Sequence, residues 1–296
     1  MSKLVERETA TRNSLAAAPA LAAQFFLIPL AVVGVTVLVY AGFRSLVVDD
    51  RTPEDYLADV RTGGWNRQWP AAYELSRLMA DPTVRADPSL APQLVKAFEE
   101  AKDGDPRVRR YLALAIGRLD PPLPAAAVAT LTAALDDPDG EARISAIWAL
   151  GSSGDPTVAA QLQPLYESSD AGIRKMVVYA LGALPGDAQL VTLRTALQDS
   201  AADVRWNAAI ALARHGGREG LPVLREMLDR AYVERTVSRD VSQYDDQDPV
   251  ADVIISGLRA VAALKDSSAR LSIEGLSRQD RSMKVRQAAL EVLRAL

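Results

Sequence analysis

The sequence predicts an all-α array of stacked helix pairs, and three observations carry that reading. One phrase recurs along the chain, at Asp103–Leu119, Asp137–Ser153, Ser168–Leu184, Asp199–His215 and Asp280–Leu296. Its arginine falls at 109, 143, 174 and 205 in the first four copies, in steps of 34, 31 and 31. A period of that size marks one supersecondary unit repeated in a stack. The spacing inside each copy is helical throughout, with no strand-like alternation anywhere. Aromatics make up only 5% of the chain, and alanine and leucine dominate, as close-packed helices require.

Composition narrows the function classes. There is no cysteine among the 296 residues, which removes disulfides, thiolate metal sites and cysteine nucleophiles. The single histidine, His215, closes a repeat beside Gly216 and Gly217 and reads as a helix-end residue near the dipole. Usual zinc clusters and histidine triads therefore lack their ligands. A formal charge of −4 argues against a nucleic-acid surface, which needs a clustered basic excess. No catalytic residue, cofactor site, metal site or small-molecule substrate is evident, and the expectation is a protein that is not an enzyme.

In chain order, residues 1–20 form a short leading tail with mixed charge. No charged residue occurs from Asn13 to Phe43, and nineteen helical residues from Phe25 to Phe43 would span roughly 28 Å. Residues 21–43 are expected to form one transmembrane helix. Pro29 sits early enough to be tolerated, and Tyr40 and Phe43 would mark an interface. The rival is a cleaved signal peptide ending near Val39-Tyr40-Ala41, which would release the body. Lys3, Arg7 and Arg12 nearly balance Arg44, Arg51 and Arg61, so orientation leans on the short tail staying inside and places the body on the outer, periplasmic side.

Residues 44–296 form the repeat body, starting at the helix signal Thr52-Pro-Glu-Asp. About seven pairs of helices are expected, near 53–80, 88–118, 123–152, 157–183, 187–214, 219–264 and 268–296. The first helix of each pair is called A here, and the second, which holds the repeated phrase, B. The stretch 229–249 interrupts the period with a crowd of charges and reads as a solvated or partner-contacting insertion. Tyr244-Asp-Asp-Gln-Asp248 lacks the glycine and closing glutamate of a calcium loop.

The recurring Asp-Pro-x-x-Val-Arg-x-x-Ala-x-x-Ala-Leu-Gly resembles the HEAT repeat, in the short bacterial form also found in phycobilisome-lyase-type proteins. The likeness is clear at 103–119, 137–153, 168–184 and 199–215, and weakest at 250–266, where Gly257 stands in the arginine position. It implies a right-handed α-solenoid with B helices lining the concave side. It implies scaffolding and protein binding more than a reaction.

Within each copy, Asp105, Asp139 and Asp170 precede Arg109, Arg143 and Arg174 by four residues, so a structural ladder of ion pairs and turn hydrogen bonds is expected, continued by Arg205 and Arg286. Function should lie where copies differ. The stripe beside the core face of the B helices carries Trp69, Tyr73, Tyr111, Leu114, Ile144, Trp148, Met176, Tyr179, Trp206 and Ile210, where an ordinary surface helix would place Glu, Lys and Gln. Aromatic and methionine side chains there suit a groove that clamps a protein partner. The alternative is tight curvature that buries them between neighbouring B helices. The expected function is a membrane-anchored HEAT scaffold, an accessory subunit holding a protein partner beside a membrane complex. The other reading is a lyase-like factor acting on a chromophore-bearing protein.

Overall fold

A computed structural model describes residues 28–47, 51–237 and 248–296, and every element among them is helical. The chain separates into two compact units, Met1–Thr52 and Pro53–Leu296.

The described part of the first unit is essentially one helix, α1 (Ile28–Val47). From Ile28 to Tyr40 every side chain is exposed. The expected transmembrane helix at 21–43 is not upheld, because among the described residues no helix is long and apolar enough to cross a membrane. Helix α1 is described from Ile28 onward, and its charge-free part ends at Phe43, before Arg44. Residues 1–27, which hold the leading tail and the start of the expected span, lie outside the described residues.

The second unit is a stack of helix pairs. Its helices run α2 (Pro53–Thr62), α3 (Trp65–Leu78), α4 (Pro82–Arg85), α5 (Leu90–Glu100), α6 (Pro106–Ile116), α7 (Ala125–Ala133) and α8 (Gly140–Gly151). They continue as α9 (Ala159–Leu162), α10 (Ala171–Ala183), α11 (Leu190–Ala196), α12 (Ala202–Arg214), α13 (Leu221–Met227), α14 (Arg230–Thr236), α15 (Pro249–Ala263), α16 (Arg270–Gln279) and α17 (Met283–Ala295). The B helices are α3, α6, α8, α10, α12, α15 and α17, and each packs directly on the next. The A helices are shorter and partly 3-10, as at Gln163–Glu167. Pro164 supplies one reason, since it removes a backbone donor there.

The repeated aspartates start the B helices. Asp105 accepts from the backbone N–H of Arg107, Asp139 from Ala142, and Asp170 from Gly172 and Ile173. Each occupies the N-cap position, where such a side chain stabilises a helix by about 1 kcal/mol.

Tight stacking of the B helices depends on small residues near their C-terminal ends. A Cβ added at Gly117 would lie 2.7 Å from Ala149 Cβ, one at Gly151 2.7 Å from Ala180 Cβ, and one at Gly182 2.3 Å from Ala211 Cβ. The three contacts occupy one register position of successive repeats, so the helices meet almost backbone to backbone. Around them the core is aliphatic, with Leu112, Ile116, Leu150, Leu181 and Leu212 fully buried.

The interrupted repeat differs from expectation in one respect. The start of the 229–249 stretch is helical, since Asp229 caps α14 by accepting from Tyr232 N–H at 3.2 Å. Asp248 caps α15 in turn, accepting from Ala251 N–H at 3.0 Å. The rest of that stretch, 238–247, including the acidic run from Tyr244, lies outside the described residues. Gly257 brings α15 against α13, where an added Cβ would lie 2.9 Å from Met227 Cβ.

Candidate functional site: the B-helix face

The ladder arginines make their carboxylate contacts across repeats, which differs from the pairing expected at four-residue spacing. Arg109 donates to Asp137 of the next repeat from Nε at 2.6 Å and Nη2 at 3.0 Å. Arg174 does the same to Asp199, at 2.9 Å from both nitrogens. Each also donates from Nη1 to a carbonyl of its own turn, Arg109 to Gly104 at 2.8 Å and Arg174 to Ser168 at 2.9 Å. The caps at Asp105, Asp139 and Asp170 leave this role to the acid at the start of the next turn.

Three rungs depart from the pattern. Arg143 donates to the Asp137 carbonyl at 2.8 Å, but the next repeat presents Ser168 where an aspartate would be needed, so no carboxylate among the described residues meets it. Between the last repeats, Gly257 leaves no arginine, and Arg230 of α14 takes its place. Arg230 reaches Asp280 from Nε at 2.6 Å and Nη2 at 2.7 Å. Arg286 closes the series by donating to the carbonyl of Asp280, and Arg205 donates to the Asp199 carbonyl at 2.8 Å and to Tyr232 Oη at 3.1 Å.

Asp199 is the most heavily used of these acids. Besides Arg174, it accepts from Tyr166 Oη at 3.0 Å and from Ala201 N–H at 2.9 Å. The Arg174 hydrogen bonds hold its carboxyl down at about 2, against an ordinary 3.8. Burial and the hydrogen bond to Asp199 push the Tyr166 hydroxyl up to about 12. A folded-state value below the unfolded one means the group stabilises the fold above pH 3.8, and that contribution disappears as pH falls through 2. The span corresponds to about 2 kcal/mol. We expect acid titration of stability between pH 4 and 2 to flatten in Asp199→Asn, measured as urea midpoint against pH; an unchanged profile would place the acid sensitivity elsewhere.

The stripe residues divide into three groups. Tyr73 and Tyr179 are exposed. Tyr73 meets Tyr111 edge to face, with centroids 5.1 Å apart, and carries Arg77 5.8 Å from its ring centroid. Tyr179 carries Arg214 at 5.8 Å, and Trp69 lies under Arg107 at 4.7 Å. Tyr111, Leu114, Ile144, Trp148, Met176 and Ile210 are half-buried. Trp148 covers the position of Gly117, 2.7 Å from where a Cβ would stand. Trp206, expected on the binding face, is instead 95% buried. It occupies core volume beside α15, where the B helices no longer meet through glycine. Much of the stripe is therefore packing, and its exposed aromatics are Tyr73 and Tyr179, with Trp65 at the start of α3 more exposed than either.

A cleft lies between α12 and α15. One cavity of about 950 Å³ is lined by Trp206, Asn207, Ile210, Val253 and Ser256, among others. A second, of about 360 Å³, shares Asn207, Ile210 and Ser256 and continues to Tyr179, Arg214 and Arg259. Sequence reasoning missed Arg214 and Arg259. The available signal was Ala213, standing where earlier copies have Gly117, Gly151 and Gly182.

The HEAT-repeat family profile matches residues 91–182 and 165–240. No curated protein matches the sequence. Among solved structures, the complex of CpcE and CpcF of phycocyanin lyase from Nostoc sp. PCC7120 is similar at 18% identity and a TM-score of 0.55, covering 84% of this chain and 96% of that one. Human deoxyhypusine hydroxylase in complex with glycerol is similar at 18% identity over 82% of this chain and 95% of its own, but at a TM-score of 0.37, which carries no argument. The expectation that the chain is not an enzyme falls with the first of these, because a similar stack serves in a protein described as a lyase. At that identity the likeness establishes the fold and assigns no reaction to this chain.

Proposed function

This chain belongs to the HEAT-repeat family, and we propose from that premise that it is a scaffold whose B-helix face holds a protein partner. The observation that carries the reading is the exposure of Tyr73 and Tyr179, with arginines over their rings, on helices otherwise closed by tight packing. Aromatic and arginine side chains are the types enriched at the centres of protein interfaces. The B helices would line the concave side of a right-handed stack, as the HEAT resemblance implies. In Tyr73→Ala/Tyr179→Ala we expect recovery of the native partner to fall while helical content stays unchanged, measured by affinity capture of the full chain and quantitative mass spectrometry. Equal recovery from both forms would remove this face from consideration.

A membrane tether completes the proposal. It is supported by the uncharged run from Asn13 to Phe43 and by the exposed apolar side chains of Ile28–Tyr40. Such a tether would raise the local concentration of a weakly binding face beside a membrane complex, with the body on the outer side. The full chain should then stay with membranes through an alkaline carbonate wash, and a Val35→Glu/Leu38→Glu variant should be released. Release of the unaltered chain would sink the tether. A second reading, a lyase-like factor acting on a chromophore-bearing protein, is favoured by the fold shared with the CpcE–CpcF complex. Visible absorbance in the captured partner would single it out.

A further inference from the structure

We propose that the cleft between α12 and α15 seats an extended acidic peptide of a partner protein, with a side-chain carboxylate on Arg214 and Arg259 and a backbone carbonyl on the Trp206 indole N–H. The inference rests on the protein-binding reading above and adds the place and the chemistry. The cleft exists because the packing rule of the other B helices lapses here. From α6 to α12 the B helices close through Gly117–Ala149, Gly151–Ala180 and Gly182–Ala211. On α12 the equivalent position is Ala213, while the glycine of α15, Gly257, is spent on the contact with Met227 of the A side. The two helices meet over less of their length than the other B-helix pairs do, and the two cavities sharing Asn207, Ile210 and Ser256 form one continuous trough along the rest.

Its charges are unevenly committed. In the larger cavity, Lys175 is paired with Asp203 at 3.3 Å, and Arg205 is held by the Asp199 carbonyl and Tyr232. At the other end, Arg214 and Arg259 have no carboxylate partner among the described residues, and no acid lines that cavity. Two guanidinium groups without a counter-ion beside an apolar floor suit a carboxylate, which accepts charge-assisted hydrogen bonds from arginine. An independent sign comes from Trp206. Its side chain lines the larger cavity and is 95% buried, yet its Nε1–H has no acceptor among the described residues. Buried donors are normally satisfied, and this one lacks an acceptor among the described residues.

The dimensions favour extended backbone. Helix α12, with thirteen residues, runs roughly 20 Å, the reach of about six residues of extended chain. Such a segment presents carbonyls at regular intervals, one for the indole, and leaves a side chain for the arginine end. A phosphate polymer fits poorly, because Asp203 and Asp252 line the larger cavity and would repel charge along its length; the same two acids confine the peptide's carboxylate to the Arg214–Arg259 end.

The test is selection of a phage-displayed random dodecapeptide library on the full chain, run in parallel on Arg214→Glu/Arg259→Glu. Both arginines are exposed, so the variant should fold, as circular dichroism would verify. The unaltered chain should enrich peptides with Asp or Glu at a fixed position, and the variant should enrich Lys or Arg there. A synthetic enriched peptide should bind the variant at least about tenfold more weakly, the scale of losing charge-assisted contacts. A Trp206→Phe chain, which keeps the ring and removes the N–H, should weaken the same peptide while retaining the acidic preference. Enriched peptides without an acidic preference, or the same peptides from both chains, would overturn the cleft while leaving the protein-binding face standing. Peptides displaced by Tyr73→Ala but indifferent to Arg214→Glu/Arg259→Glu would do the same. No enrichment on any form would count against both.

Discussion

Asp199→Ala is expected to destabilise the repeat body by about 3–5 kcal/mol, the cost typical of removing one partner from a buried ion pair. The carboxylate takes both donors of Arg174, the hydroxyl of Tyr166 and the amide of Ala201. Arg174 is only 14% exposed at its side chain and Asp199 only 5%, so water would not readily replace what is lost. Asn keeps the shape and some of the hydrogen bonds, and should cost less than Ala. Because repeat arrays can unfold in segments, the readout should combine a urea midpoint with hydrogen exchange along the chain. Fast exchange should be concentrated in α9–α12. A midpoint shift no larger than that of an exposed control such as Arg214→Ala would refute the assignment of Asp199 as the hub.

Gly182→Val is expected to be nearly as damaging, at about 3 kcal/mol, the upper part of the range for overpacking a closed core. Even a bare Cβ at this position would lie 2.3 Å from Ala211 Cβ and 3.0 Å from its Cα. The clash involves the backbone of α12 and a methyl, with no flexible side-chain end to move aside. The helix pair must separate, and every contact between α10 and α12 lengthens with it. Gly275→Ala is the matched control, since nothing stands within 4 Å of its added Cβ in α16. There the same kind of change should stabilise by up to about 1 kcal/mol through helix propensity. Thermal midpoints of the two variants moving in the same direction would contradict the close-approach account.

The fold was legible because it was written several times. The Val-Arg phrase, the aspartate before it and the glycine after it each have a position in the stack: core contact, ladder, cap and close approach. One copy would have been ambiguous, while four in register were not. What failed to transfer was pairing. Asp105 and Arg109 are close in sequence, yet Asp105 is committed to the helix N-terminus, and Arg109 turns to Asp137, 28 residues away. Spacing along a chain identifies candidates on one helix face, whereas an inter-repeat contact depends on how the next layer is set. Arg230 was hidden for the same reason, since it belongs to a segment outside the period. The candidate site was less legible than the fold. Helical position alone placed Trp206 beside Trp148 and Tyr179, but local separation of α12 and α15 decides which of them is covered. That separation depends on Ala213 and Gly257 together, a pair with no neighbourhood in sequence.

The missing aspartate at Ser168 gives the stack a mechanical asymmetry. The interface between α8 and α10 is pinned near one end by Gly151 against Ala180, while at the other Arg143 reaches only its own turn. The layers on either side are fastened at both ends, by Gly117 with Arg109 and by Gly182 with Arg174. A rod joined this way bends first at its singly fastened joint. Within the glycine-closed part from α6 to α12, thermal flexing and strain imposed by a bound cargo would therefore concentrate between α8 and α10, where one serine replaces the carboxylate, while the α12–α15 joint, which has neither fastening, is looser still.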